Sequence, residues 1–195
     1  MKKRFMLVLS LLSSYYGYGQ NQKSLADFNE QRINTTRVGM ITLSSWALGN
    51  VAVNGLLLRQ SEGDRYYFHQ MNMLWGGINA IVAGLGYYGA VRAERNLNLA
   101  RTIRKYQGIR QTLLFNAGLD VAYVAGGLYL LERAKNDERA DRFRGYGRAV
   151  MLQGGFLLAF DAVLYLVLRS QSDALEAIIQ KLTVRGQGVG FVHRF

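Results

Sequence analysis

The sequence predicts an all-α fold, an integral membrane four-helix bundle, and three observations carry the prediction. Four apolar stretches recur along the chain, each reaching the roughly 20 residues a helix needs to cross a bilayer. Arginine stands at nearly every border of these stretches, where its stem can lie in hydrocarbon while the guanidinium reaches the headgroups. Each stretch also carries polar residues three or four apart. Residues so spaced share one helix face, and the cheapest place for a polar face is the bundle interior. The 195 residues include no proline and no cysteine. No span is therefore kinked by a missing backbone donor, and disulfides, thiolate metal ligands and cysteine nucleophiles are excluded.

Taken in order, residues 1–19 have the pattern of a secretory signal peptide. Lys2, Lys3 and Arg4 form the basic region, residues 5–12 a short apolar core, and Gly17 and Gly19 the small residues before Gln20. The core is too brief to span, so the mature chain is expected to begin at Gln20. Residues 20–37 form an amphipathic approach segment with Leu25, Phe28 and Ile33 at roughly helical spacing. The first span, 38–58, lies between Arg37 and Arg59 and is uncharged.

The second span, 66–91, lies between Arg65 and Arg92 and supplies its own ruler. Tyrosine pairs stand at both ends, Tyr66 with Tyr67 and Tyr87 with Tyr88. A helix rises about 30 Å from Tyr67 to Tyr87, which matches the hydrocarbon thickness and reads as an aromatic belt. The third span, 111–131, runs from Arg110 to Glu132 and contains Asp120; the fourth, 149–168, runs from Arg148 to Arg169 and contains Asp161.

Between the spans the charge is dense. Residues 92–110 hold six basic side chains against Glu94, with Leu99, Ile103 and Tyr106 at i, i+4 and i+7. That pattern suits a basic helix lying on anionic lipid headgroups, or equally a solvated extension of the neighbouring spans. Residues 132–148 mix both signs and read as an exposed helical connection. In the tail, 169–195, Gly186, Gln187 and Gly188 separate two strand-like runs, giving either a short tail or a hairpin. The net charge of +11 does not imply nucleic acid, because its charges cluster between charge-free stretches instead of interleaving with apolar residues.

Orientation draws two opposed signals. A cleaved leader leaves the mature N-terminus outside. Under that orientation eight basic residues fall inside and thirteen outside, against the positive-inside tendency. Structured segments translocate regardless of charge, so the leader sets the expectation.

The polar stripe comprises Asn50 and Asn54 on the first span, His69, Asn72 and Asn79 on the second, Asn116 and Asp120 on the third, and Gln153 and Asp161 on the fourth. His69 is the cationic partner within the spans that a buried aspartate could find. Small residues four apart, Ser45 with Gly49, Ala80 with Gly84, and Gly118, Ala122 and Gly126 in series, mark expected packing faces. Asn50 and Asn54 echo Asn116 and Asp120, and Gly76-Gly77 echoes Gly154-Gly155. These echoes suggest two helical hairpins repeated in parallel about an axis along the membrane normal.

No enzyme signature accompanies the stripe. His69 and His193 are far apart and lack metal-ligand spacing, no serine sits in a nucleophile elbow, and "GQGVG" lacks a strand-to-helix context. No catalytic residue, metal or cofactor is expected. With its leader and four spans, the chain resembles small uncharacterised bacterial membrane proteins of the same plan, which implies residence in the inner membrane of a Gram-negative bacterium. Two functions fit. One is an accessory or structural component whose amides hold helices together, with a membrane-protein partner or a second copy beside it. The other is a small carrier or proton/cation pathway using Asp120 and Asp161.

Overall fold

The computed structural model describes the backbone of residues 2–185 and the side chains of residues 24–181. Five helices follow one another: α1 (Lys2–Leu58), α2 (Gly63–Val91), α3 (Leu99–Arg133), α4 (Ala140–Arg169) and α5 (Ser172–Arg185). No strand occurs among the described residues. Each expected span lies within one helix, and each of α1, α3 and α4 runs well past its span. The leader expected at residues 1–19 lies outside the residues whose side chains are described.

Local signals place the breaks. The α1–α2 turn closes on Gly63 at φ +55°, the left-handed region that glycine enters without a Cβ penalty. The α3 start is capped by Asn98, whose side-chain oxygen accepts from the Arg101 backbone N–H at 2.9 Å. Residues 99–110 therefore belong to one helix with the third span and extend it.

The tail departs from expectation. Residues 172–185 are helical, so the first strand of the expected hairpin does not form; the second run lies outside the described residues. The cause is amphipathic spacing. Leu175 and Ile178 are buried one turn apart and join Leu25, Phe28, Tyr106, Leu113, Leu164 and Leu168 in a core at one end of the bundle. There Tyr106 donates from its hydroxyl to the Leu168 carbonyl at 2.8 Å, satisfying one of the last carbonyls of α4. Burial pushes the Tyr106 hydroxyl above its ordinary range. A raised folded-state value means this stability is complete at neutral pH and is lost as pH rises through that value. Tyr106→Phe should cost about 1 kcal/mol and remove that alkaline loss, which thermal melts from pH 7 to 11 would show.

The helices pack as two antiparallel hairpins, α1 on α2 and α3 on α4, joined where α2 meets α4. The starts of α2 and α4 lie side by side. Arg148 reaches Asp64 at 2.8 Å, Tyr146 donates to Gln70 Oε1 at 2.7 Å, and the Tyr67 and Tyr146 rings meet edge to face. The two hairpins are thus parallel, as the repeat requires, but its register differs from the one the asparagines suggest. Gly76 nests against Ala47, Asn50 and Val51, and Gly154 nests against Asp120, Tyr123 and Val124. Asp120 therefore corresponds to Ala47, and not to Asn54.

Within the expected spans, polar side chains turn inward and many large apolar ones outward. Asn50, Asn54, Asn72, Asn79, Gln153, Asp120 and Asp161 are buried, while Val53, Leu56, Ile81, Leu85, Phe115 and Val163 are exposed. Three helical stretches, holding α1, α3 and α4, are long and apolar enough to cross a membrane. The fourth helix of the bundle, α2, packs on both α1 and α4.

Candidate functional site

Two polar clusters emerge from the single stripe. The first is centred on Gln153 of α4, fully buried between α1 and α2. Its Nε2 donates to Asn50 Oδ1 at 2.9 Å and to Asn72 Oδ1 at 2.6 Å. Its Oε1 accepts from Trp46 Nε1 at 3.0 Å and, at the limit of reach, from Asn79 Nδ2 at 3.5 Å. A glutamine amide has two donors and two acceptor lone pairs, and all four are used.

The first cluster then runs on along α1. Asn54 Nδ2 donates to the Asn50 carbonyl at 2.9 Å, leaving Oδ1 to accept from His69 Nδ1 at 2.7 Å. The expected pairing of His69 with an aspartate does not occur, because the Asn54 carbonyl oxygen is nearer and on the facing helix. Trp46 lies flat on Phe156, with ring centroids 3.9 Å apart, which seals the cluster on its outer side.

The second cluster belongs to α3 and α4. Asp161 of α4 lies close to the Asn116 and Asp120 side chains of α3, and all three line one cavity. Asp120 and Asp161 are 3% and 6% exposed, so both carboxyls are removed from solvent. Asp120 Oδ2 has no hydrogen-bond partner. Both aspartates, Asn79 and Asn116 face a cavity of about 600 Å³ between α2 and α3, whose backbones stand apart while Trp75 reaches across to the Tyr123 ring. Gln153 and Asp161 lie two turns apart on α4, so this helix carries one member of each cluster.

The small-residue faces turn out differently. A Cβ on Gly49, Gly84, Gly118 or Gly126 would meet nothing within 4 Å. The close approaches use other glycines. Gly145 lies against the start of α2, Gly127 against Gly147, and Gly76 against α1. Spacing of four identifies a face but not the neighbour it meets, and all four glycines at these spacings face open space here.

Sequence reasoning also missed polar groups outside the spans. Asn29 and Thr102 are fully buried and joined at 2.8 Å, with Arg32 donating to Asn29 Oδ1 at 3.2 Å. Arg110 donates to the Tyr165 hydroxyl at 2.9 Å and lies over the Tyr106 and Tyr165 rings. The one available signal was the Leu25, Phe28, Ile33 spacing, which marked a buried face beside Asn29. Among the described residues, no group of three His, Asp or Glu side chains is placed to hold a metal ion.

Residues 42–162 match a family of unknown function, DUF6992. The chain belongs to that family. The matched segment begins inside α1 and ends one residue beyond Asp161, so it contains every member of both polar clusters. The approach segment and α5, which build the core at the end of the bundle, lie outside it. No curated protein and no solved structure matches the chain.

Proposed function

We propose that the chain is a four-span, non-enzymatic protein of the inner membrane of a Gram-negative bacterium, acting as an accessory or structural component of a membrane assembly. Its mature N-terminus lies outside. The observation that carries this reading is the Gln153 cluster, in which buried amides from three helices satisfy one another completely. Lipid tails give helices no hydrophobic reason to associate, so interhelical hydrogen bonds and close packing must specify the bundle. The exposed Val, Leu and Ile side chains supply the lipid-facing surface.

The test combines fractionation with labelling. The chain should resist a carbonate wash of membranes. Single cysteines at Ser61 and Ser170, which stand at opposite ends of the bundle, should be labelled from the cytoplasmic and the outer side respectively. Release by the wash, or labelling of both from one side, would sink the four-span reading. Gentle solubilisation and affinity capture should then recover a stoichiometric membrane-protein partner; recovery of an isolated monomer under several detergents would remove the accessory role.

A proton or cation pathway is the second reading, favoured by the unpartnered Asp120 oxygen on a cavity. Under the accessory reading, Asp120→Asn and Asp161→Asn should each change stability by less than about 1 kcal/mol, since an amide still hydrogen-bonds. Loss of phenotype with the fold intact would transfer the assignment to the pathway. So would a carboxyl band in infrared difference spectra, recorded through a pH titration, that disappears in the Asn variants.

A further inference from the structure

The cleft between α2 and α3 has a second part. At its upper end, Thr36, Gly86, Arg104, Lys105 and Ile109 also line an adjoining cavity of about 810 Å³. Arg32, Arg92, Arg101, Arg104 and Lys105 face this upper cavity against Glu94 alone. Below it the cleft is lined mainly by apolar side chains, among them Ile78, Val82, Leu113, Leu119 and Leu157. A strongly basic chamber therefore opens directly into an apolar channel.

Its depth fits a lipid leaflet. Arg92 caps α2 and lies over the Tyr88 ring at 4.5 Å, beside the tyrosine pair that marks the membrane border. From Lys105 to Asp120, α3 rises about 22 Å. Half the hydrocarbon thickness is about 15 Å, so the chamber sits at headgroup level and the floor of the channel near the midplane, where the acyl tails of one leaflet end.

We propose that this composite cleft binds one anionic phospholipid, with its phosphate among Arg92, Arg101, Arg104 and Lys105 and an acyl chain in the α2–α3 channel. The inference rests on the membrane-spanning reading above. Charge complementarity selects the occupant: five cations at the mouth repel a cationic solute and attract a phosphodiester. The channel selects a lipid over a free anion, because below Arg104 and Lys105 it offers a phosphate no cation and an acyl chain a mainly apolar wall, with Asn79, Asn116, Asp120 and Asp161 the polar groups on it. A contrast lies on the same end of the molecule. The groove between α1 and α4 is of similar volume, about 820 Å³, but opens beside Asp27 and Glu30. The same charge argument leaves it without an anionic lipid.

The test is native mass spectrometry of the full chain in mild detergent, equilibrated with phosphatidylglycerol or with phosphatidylcholine of identical acyl chains. The wild type should retain one phosphatidylglycerol with about a tenfold preference. Arg104→Gln with Lys105→Gln should abolish the preference. Gly108 lines the channel, and a Cβ there would meet nothing within 4 Å. Gly108→Leu should therefore fill the channel without moving the protein and reduce retention of both lipids, with an unchanged circular dichroism melt. Millimolar inorganic phosphate should leave the lipid in place. Equal retention of the two lipids, unchanged retention by Gly108→Leu, displacement by phosphate alone, or a lipid-free dimer closing the cleft would each overturn the proposal. Failure of the membrane reading is separate, since it would show as release of the chain from membranes by carbonate.

Discussion

Replacing Gln153 by leucine should destabilise the bundle by about 3 kcal/mol, the largest loss expected from a single side chain of similar size. Leucine fills comparable volume, so the loss is one of hydrogen bonding. The variant leaves the Asn50 and Asn72 carbonyl oxygens and the Trp46 indole N–H without the partners they have at 2.6 to 3.0 Å. These groups are buried or half-buried within the bundle, and their cost is that of polar groups left without a partner. Asn79→Leu is the internal control, because its bond to Gln153 is at the 3.5 Å limit. Thermal unfolding in one detergent would check both. A Gln153→Leu variant as stable as the wild type would show that shape, and not the amide network, holds α4 to α1 and α2.

A side chain at Gly145 should be nearly as damaging, and it acts on a different joint. A Cβ there would lie 2.7 Å from the Tyr67 Cβ and 2.8 Å from the Phe68 backbone nitrogen, and closer still to the Asp64 carbonyl oxygen. The obstructing atoms are mostly backbone, so no rotamer change relieves them. Gly145→Leu should force the starts of α2 and α4 apart, weaken the Arg148–Asp64 and Tyr146–Gln70 contacts together, and cost about 3 kcal/mol. Gly77→Ala provides the opposite expectation. Nothing lies within 4 Å of its Cβ, and alanine is the better helix former by about 1 kcal/mol, so the variant should be neutral or more stable. Melting both variants decides whether a glycine in this chain is there for approach or merely tolerated; equal effects of the two would refute the distinction.

Much of the plan is legible in the sequence, and particular residues show why. Arg37 with Arg59, Arg65 with Arg92, and the tyrosine pairs at 66–67 and 87–88 bracket apolar runs of about 20 residues or more, and each run lies within one helix. The burial of Asn50, Asn54, Asn72, Asn79, Asp120, Gln153 and Asp161 is legible in their spacing, since a polar stripe on an otherwise apolar helix is cheapest turned toward the other helices. The α5 helix was readable too, through Leu175, Ile178 and Ile179, but the glycines after it drew attention to a hairpin instead.

What chain patterning determined, then, is each helix and its inward face; what only the tertiary structure decided is which inward faces meet. Gln153 pairs with α1 and α2 while Asp161, on the same helix, pairs with α3. Eight residues turn Asp161 about 80° from Gln153 around α4, and because α4 lies between α2 and α3 the two side chains meet different neighbours. The same geometry leaves α2 and α3 apart and opens the basic-mouthed cleft between them. Helix formation is local and its period is written along the chain, whereas the approach of one helix to another depends on contacts such as Gly145 on Asp64 and Gly127 on Gly147. Such contacts join residues 20 to 81 positions apart, and no local pattern records them.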